Sequence, residues 1–171
     1  LPPPPLQDLP LTTVALVTFG CAKNLVDSEV MAGFLGRAGF TFVPDPKAAD
    51  VVVLNTCGFI QPSKDEADEA IRSALAPRHG RRRPKLIVAG CYVERNAGEL
   101  AARYPGVDAW IGVKDFDKIV SVVRGQPFRR SRRTYLYDES APRAVSTPGS
   151  WAYIKISEGC SHRCGFCAIP L

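Results

Sequence analysis

The sequence predicts an α/β fold with a parallel sheet flanked by helices, and three repeated features support this. Short β-branched runs, TVALVTFGC, VVVLNTC and KLIVAGC, have the composition of buried strands, and each ends in a cysteine. They recur about every 35 residues, which is the length of one βαβ unit. The stretches between them are amphipathic and long enough for the crossover helices that parallel strands need.

The first two crossovers are predicted to be helices, over residues 24–39 and from Pro62 onward. Proline favours the first turn of a helix, and Ser63 and Glu66 have the spacing of a capping box. Each segment has an apolar stripe at helical spacing that would pack on the sheet. The stripes are Leu25, Val26, Val30, Phe34 and Leu35 in the first helix, and Ala67, Ala70, Ile71, Ala74 and Leu75 in the second.

The later elements complete a first domain, which we expect to span residues 11–125. A third helix is predicted over 93–103, and DAWIG at 108–112 has the pattern of a short strand. A closing helix is predicted over 115–124, because Gly125 supplies a helix C-terminal signal.

The segments outside this domain differ in composition. Residues 1–10 are rich in proline and predict a disordered tail. Residues 126–150 are first basic and then rich in proline and small polar residues, which is typical of a linker. WAYIKIS at 151–157 predicts a new strand, so that 151–171 would be the start of a second, truncated domain.

The chain has 171 residues, of which 46% are hydrophobic, which is enough for one sizeable core. We expect a cytoplasmic protein, because the sequence has neither a signal-peptide pattern nor an apolar run of the roughly 20 residues that span a membrane. Cysteines in a reducing compartment more often serve metals or catalysis than disulfides. The net charge of +5 fits RNA or a ribosomal surface as a partner. Solvated loop charge is the alternative, because no aromatic residues interleave the basic runs. Those runs are Arg81, Arg82 and Arg83, and Arg129, Arg130, Arg132 and Arg133.

The three strand-end cysteines predict a shared metal site. Cys21, Cys57 and Cys91 would lie at the same carboxyl edge of a parallel sheet, where open α/β folds bind ligands. The alternative is that each is a small buried hydrophobic residue. The repeated placement favours the metal site, as do the adjacent glycines, which permit close backbone approach: Gly20, Gly58 and Gly90.

A second cysteine group lies near the C-terminus, where Cys160, Cys164 and Cys167 form a CxxxCxxC motif. Three thiolates on a four-iron cluster leave one iron without a protein ligand, which indicates catalysis rather than electron storage. A zinc site completed by His162 is the alternative, although the spacing is uncommon for zinc and the histidine would be cramped. Three neighbouring cysteines cannot all pair as disulfides.

This motif resembles the cluster motif of the radical S-adenosylmethionine (SAM) superfamily. In that superfamily the free iron is chelated by the amino and carboxylate groups of SAM. Phe166, directly before the last cysteine, matches the aromatic residue found there and is therefore expected near SAM.

Four segments together resemble the methylthiotransferases: GCAKNLVDSE, NTCGFI, GCYVER and KISEGCSHRCGFCAIP. The resemblance implies a flavodoxin-like domain whose Cys21, Cys57 and Cys91 ligate an auxiliary 4Fe-4S cluster. It implies that Cys160, Cys164 and Cys167 ligate a second 4Fe-4S cluster, in a loop after the first strand of a radical SAM partial TIM barrel. A small C-terminal barrel would engage the substrate.

The same resemblance implies the reaction. An electron donor would reduce the second cluster, which would cleave SAM to give a radical. This radical would abstract hydrogen from an unactivated carbon of the substrate. The auxiliary cluster would then supply sulfur to that carbon. The segments AKNLVDSE and NTCGFI, with Lys23, Gly58 and Phe59, resemble more closely the branch that modifies the β carbon of an aspartate in a small-subunit ribosomal protein, although that branch usually has proline at Ala22. The alternatives are a tRNA adenosine substrate and a non-catalytic iron-sulfur or partner-binding module. Residues 1–171 alone are expected to show little turnover.

Overall fold

The computed structural model describes residues 12–77, 82–129, 131, 135–162, 164, 165, 167 and 169. Within these residues, five strands form one parallel sheet in the order β2-β1-β3-β4-β5. This is the strand order of flavodoxin-like folds. The predicted fold class is therefore confirmed. The strands are β1 (Thr13–Thr18), β2 (Thr41–Phe42), β3 (Val51–Thr56), β4 (Lys85–Gly90) and β5 (Ala109–Ile111).

Helices cover both faces of the sheet, at the places where the sequence predicted them. They are α1 (Ala22–Arg37), α2 (Gln61–Leu75), α3 (Cys91–Arg103) and α4 (Ile119–Val123), with a 3-10 helix over Val113–Lys118. The single helix predicted over 115–124 is wrong in one respect: Asp115 has non-helical backbone angles (φ −123°, ψ 17°), so the segment begins as a 3-10 helix and becomes α-helical at Ile119.

The predicted capping box of α2 is also wrong. The helix begins at Gln61, with Ile60 as the N-cap residue and no side-chain cap, and Ser63 lies inside the first turn. Pro62 accounts for the early start, because its fixed φ suits the first turn and its missing N–H would have had no helical partner there.

Two apolar cores lie on opposite faces of the sheet, because successive strand residues point to opposite sides. Val51 and Val53 of β3 pack with Leu35 of α1 and with the 3-10 helix and α4. Val52 and Leu54 pack with Ile71 of α2 and with α3. Every residue of β3 is buried, as expected for a central parallel strand. The predicted helix stripes supply these cores, with Leu25, Phe34, Ala70 and Leu75 only partly buried.

The chain after α4 runs back over α1 and forms no strand among the residues described there. The strand predicted over 151–157 is therefore wrong, because a strand needs a neighbouring strand and none of the described strands pairs with this segment. Within this segment the Lys155 side chain reaches α1, while the neighbouring Ile154 and Ile156 are 82% and 94% exposed. We refer to residues 135–159 as the strap.

The strap is fixed to α1 by rings and hydrogen bonds. The Tyr135 ring lies 6.1 Å from that of Phe34, and the Tyr137 hydroxyl donates to Asp27 at 2.8 Å. The Ala144 amide donates to the Glu29 carbonyl at 2.9 Å. Residues within 126–150 therefore make specific contacts with α1, although their composition is typical of a linker. The domain boundaries at 10, 125 and 150 stay predictions.

Some predictions lie outside the described residues: the tail at 1–10, Phe166, and the basic residues Arg81, Arg130, Arg132 and Arg133. In the part of the chain that is described, no helix is both long enough and apolar enough to cross a membrane.

Candidate metal centre

Cys21, Cys57 and Cys91 lie at the carboxyl edge of the sheet and line one cavity of about 610 Å³. Cys21 is the N-cap residue of α1, Cys57 directly follows β3, and Cys91 is the first residue of α3. Thr56 is paired with Gly90 in the sheet, so Cys57 and Cys91 leave neighbouring strands at the same level. The structure therefore brings together the three thiols that the strand-end pattern predicted to share a site.

Two glycines allow the cysteine loops to approach this closely. Gly20 has φ +90°, and a Cβ placed there would lie 2.4 Å from Cβ and 3.0 Å from Sγ of Cys57. Gly90 has φ +106°, and a Cβ there would lie 2.3 Å from the carbonyl oxygen of Thr56. Both positions combine a left-handed backbone with a contact too close for any side chain, so only glycine fits.

Two buried asparagines that the sequence analysis missed hold this edge together. The Asn55 side chain donates to the Asn24 carbonyl at 2.8 Å and to the Ser28 hydroxyl at 2.9 Å. The Asn24 side chain donates to the Phe19 carbonyl at 3.0 Å and accepts from the Cys91 thiol at 3.7 Å. The available signal was a polar residue inside the apolar run VVVLNTC, since a buried amide needs hydrogen-bond partners.

The surroundings of Cys91 raise its pKa and favour its protonated thiol form. Burial raises the pKa of Cys91, and the charges of Asp27, Cys57 and Cys21 act in the same direction, against the opposing effect of Lys23. Burial alone would lower the pKa of Lys23, but Asp27, Cys91 and Glu158 raise it, so Lys23 is a cation. A metal binds thiolate and displaces the thiol proton, and Lys23 would offset the resulting negative charge.

The other cavity walls come from α1, from the start of α2 and α3, and from the segment around the second cysteine group. The residues in or next to the three helices are Lys23, Asn24, Phe59, Ile60, Ser63 and Arg95. Those from the segment around the second cysteine group are Ser157, Glu158, Gly159 and Ile169. The chain on either side of the CxxxCxxC motif therefore closes one side of the cavity that holds the first three thiols.

The three cysteines of the CxxxCxxC motif are largely exposed. Cys160 and Cys164 are exposed and Cys167 is partly exposed. Backbone amides donate to two of the sulfurs, from His162 to Cys160 and from Ile169 to Cys167, both at 3.4 Å. N–H donors of this kind stabilise cluster thiolates and tune their potential.

Within the described residues, no three His, Cys, Asp or Glu side chains are grouped closely enough to hold a single metal ion. An iron-sulfur cluster makes a different demand, because each thiolate binds a different iron of the cluster. For a cluster, Cys21, Cys57 and Cys91 therefore need to line the same cavity, and their sulfurs need not meet at one metal ion.

Comparison with known proteins gives one consistent family. The model of a family described as "Uncharacterized protein family UPF0004" matches residues 13–112. Proteins named ribosomal protein uS12 methylthiotransferase RimO are similar to nearly the whole chain. That of Solibacter usitatus is 46% identical over 92% of this chain and 34% of its own length. Those of Dictyoglomus thermophilum and Akkermansia muciniphila are 41% and 44% identical over 91% and 95% of this chain, and 36% and 38% of their own lengths.

The chain thus spans little more than a third of the length of the curated relatives it matches. The match covers all three strand-end cysteines, because the UPF0004 region includes Cys21, Cys57 and Cys91. The chain belongs to the UPF0004 family, and within it to the RimO branch of the methylthiotransferases.

Proposed function

We propose that this chain is part of a radical SAM methylthiotransferase that modifies ribosomal protein uS12. The observation that carries the proposal is the cavity in which three strand-end thiols meet the segment that leads into the CxxxCxxC motif. The names of the relatives supply the substrate. We further propose that the modified atom is the β carbon of an aspartate, as the resemblance to the family implies.

Cys21, Cys57 and Cys91 would hold an auxiliary 4Fe-4S cluster. The donor set fits, because three thiols from separate strands line one cavity and thiolates are the usual ligands of such clusters. The cradle fits as well, since Gly20 and Gly90 leave no Cβ between the loops. Lys23 and Arg95 in the cavity wall would offset the negative charge of three bound thiolates.

Cys160, Cys164 and Cys167 would hold the second 4Fe-4S cluster, with one iron left for SAM. The amides of His162 and Ile169 that donate to two of the sulfurs suit this role. We propose that Phe166 lies near SAM. When bound, the clusters and SAM supply single-electron transfer, a carbon radical and sulfur, while an electron donor is a required partner.

The protein's own contribution is to orient these groups and to exclude water. The Cys91 thiol would give up its proton on binding a metal, and the positively charged Lys23 would offset the charge of the thiolate. Phe59 and Ile60 are half exposed at the cavity wall, where an apolar surface suits an unactivated C–H group of the substrate. Buried Asn24 and Asn55 keep the cysteine loops in register.

The division of labour between the two triads gives a direct test in a protein of the relatives' length that contains this chain. Replacing Cys57 by Ala should abolish methylthio transfer to uS12 and leave SAM cleavage to 5′-deoxyadenosine. Replacing Cys164 by Ala should abolish both. Loss of both activities in Cys57→Ala would contradict the separate roles, and modification of tRNA in place of uS12 would reassign the substrate.

A further inference from the structure

A buried ionic network lies beside the cavity, between α1 and the strap. Its centre is Asp27, whose side chain is fully buried. The carboxylate accepts hydrogen bonds from the Tyr137 hydroxyl at 2.8 Å, from the Lys155 ammonium at 2.6 Å and from the Lys23 ammonium at 3.2 Å. A carboxylate with this many donors is well compensated for the loss of water.

The network continues from the strap back to the cavity. The side chains of Lys155 and Glu158 are 7% and 10% exposed, and the two form an ion pair. Glu158 also pairs with Lys23, whose Nζ lies 3.1 Å from Oε2. Two cations and two carboxylates therefore alternate, which is the arrangement that makes buried charge tolerable. The Lys155 ammonium lies 3.8 Å from the centroid of the Tyr137 ring, a further cation–π contact.

Two residues of the network lie next to the two cysteine groups in the sequence. Lys23 is two residues after Cys21, and Glu158 is two residues before Cys160. Both side chains line the cavity. The network thus joins the chain beside the first cysteine triad to the chain beside the second.

We propose that Asp27 and Lys155 are positioning residues: they clasp residues 155–159 against α1 and thereby hold the second cysteine triad beside the cavity of the first. This proposal rests on the proposed function in one respect, because it assumes that both cysteine triads are cluster ligands. Sulfur transfer to a carbon radical needs the two centres to face one shared space, and a flexible connection would not maintain this.

A matched control exists in the same strap. Arg143 donates to Glu29 at 2.9 and 2.6 Å, and the Ser146 amide and hydroxyl both donate to it at 2.7 Å. This second anchor also joins the strap to a buried carboxylate of α1, but none of its side chains lines the cavity. Breaking it would loosen the strap without releasing residues 155–159.

The test measures how fast N-ethylmaleimide labels Cys57 and Cys91 in the 171-residue chain, with Cys160, Cys164 and Cys167 replaced by serine. Lys155→Met and Asp27→Asn should each accelerate labelling about tenfold, equivalent to about 1.4 kcal/mol in the opening of the cavity wall. The double variant should accelerate labelling by less than the product of the two single effects, because the two substitutions share the Asp27–Lys155 ion pair, and a fully multiplicative effect would overturn the clasp. Lys155→Arg should retain the wild-type rate, and so should Glu29→Gln.

Labelling is measured where circular dichroism shows each variant to be folded, and Lys155→Met keeps the test valid if Asp27→Asn does not fold. Unchanged labelling in Lys155→Met would overturn the clasp. Equal acceleration in Glu29→Gln would also overturn it, because general loosening of the strap would then suffice. The assay needs no cluster, so iron content measured with all six cysteines present tests the proposed function independently.

Discussion

The close approach of Gly20 to Cys57 makes Gly20→Ala the sharpest probe of how the cysteine loops are packed. Two costs arise at this position. The backbone has φ +90°, which costs an L-residue roughly 1–2 kcal/mol. The new Cβ would also lie 2.4 Å from Cβ of Cys57, and overpacking of this kind costs about 1–3 kcal/mol. Gly20→Ala should therefore lower the free energy of unfolding by about 2–5 kcal/mol.

Two other glycines separate these costs. Gly39 has φ +86° with nothing within 4 Å of an added Cβ, so Gly39→Ala should show the backbone cost alone, about 1–2 kcal/mol. Gly98 lies inside α3 with open space around it, so Gly98→Ala should stabilise the chain by up to about 1 kcal/mol through helix propensity.

Urea denaturation followed by circular dichroism measures all three variants on one scale. From most to least stable, we expect the order Gly98→Ala, wild type, Gly39→Ala, Gly20→Ala. If Gly20→Ala were as stable as Gly39→Ala, the predicted contact between the loops of Cys21 and Cys57 would not exist.

The Glu29 anchor and the contact of Gly33 with the strap give three further predictions. Glu29→Gln should lower the free energy of unfolding by about 2 kcal/mol, because the bonds from Arg143 and Ser146 lose their charged acceptor; urea denaturation at neutral pH measures this, and an unchanged midpoint would refute it. Burial alone would raise the pKa of Glu29, but the Ser146 and Arg143 hydrogen bonds outweigh it and hold the pKa below its ordinary value. The unfolded chain therefore binds the proton more readily, so this contribution to stability is present above the ordinary glutamate pKa and is lost as the pH falls through the lower folded value. The wild type should lose more stability on acidification than Glu29→Gln, and parallel pH profiles of the two unfolding free energies would contradict this. A Cβ on Gly33 would lie 2.4 Å from the carbonyl carbon of Pro142. Gly33→Val should therefore displace the strap, so that a protease cleaves the strap faster than it cleaves α1. A cleavage pattern identical to that of the wild type would argue against the contact.

The sheet and the first cysteine group could be predicted from the sequence because both follow from local patterns. TVALVT, VVVLNT and KLIVAG are rich in apolar β-branched residues, and each cysteine directly follows or lies just beyond its run. Parallel strands place their carboxyl ends on one edge, so the sharing of a cavity needed no knowledge of distant contacts.

The strap could not be predicted, because its partners are far away in the sequence. Asp27 and Glu29 look like solvent-facing residues of an amphipathic helix, yet they are buried by partners more than 100 residues further on. Proline and small polar residues in the strap suggested a linker, although Pro142 in fact packs on Gly33. Composition reports local flexibility and carries no information about which helix a segment contacts.

The predicted strand at 151–157 failed for a related reason. WAYIKIS has a strand-like composition, but in the structure only the Lys155 side chain is buried, against Asp27, while Ile154 and Ile156 are exposed. The β state also depends on a hydrogen-bonded neighbour, which the pattern within one segment does not report. The capping box at Ser63 failed because Pro62 gave a stronger local signal one residue earlier.

We propose that the chain carries two separate iron-sulfur sites, each formed by three cysteines. The amounts of iron and acid-labile sulfide per chain after anaerobic reconstitution are the measurement to make. We expect about eight irons in the wild type and about four when either Cys160, Cys164 and Cys167 or Cys21, Cys57 and Cys91 are replaced by alanine. An iron content that one of these replacements leaves unchanged, or zinc in place of iron, would contradict the account.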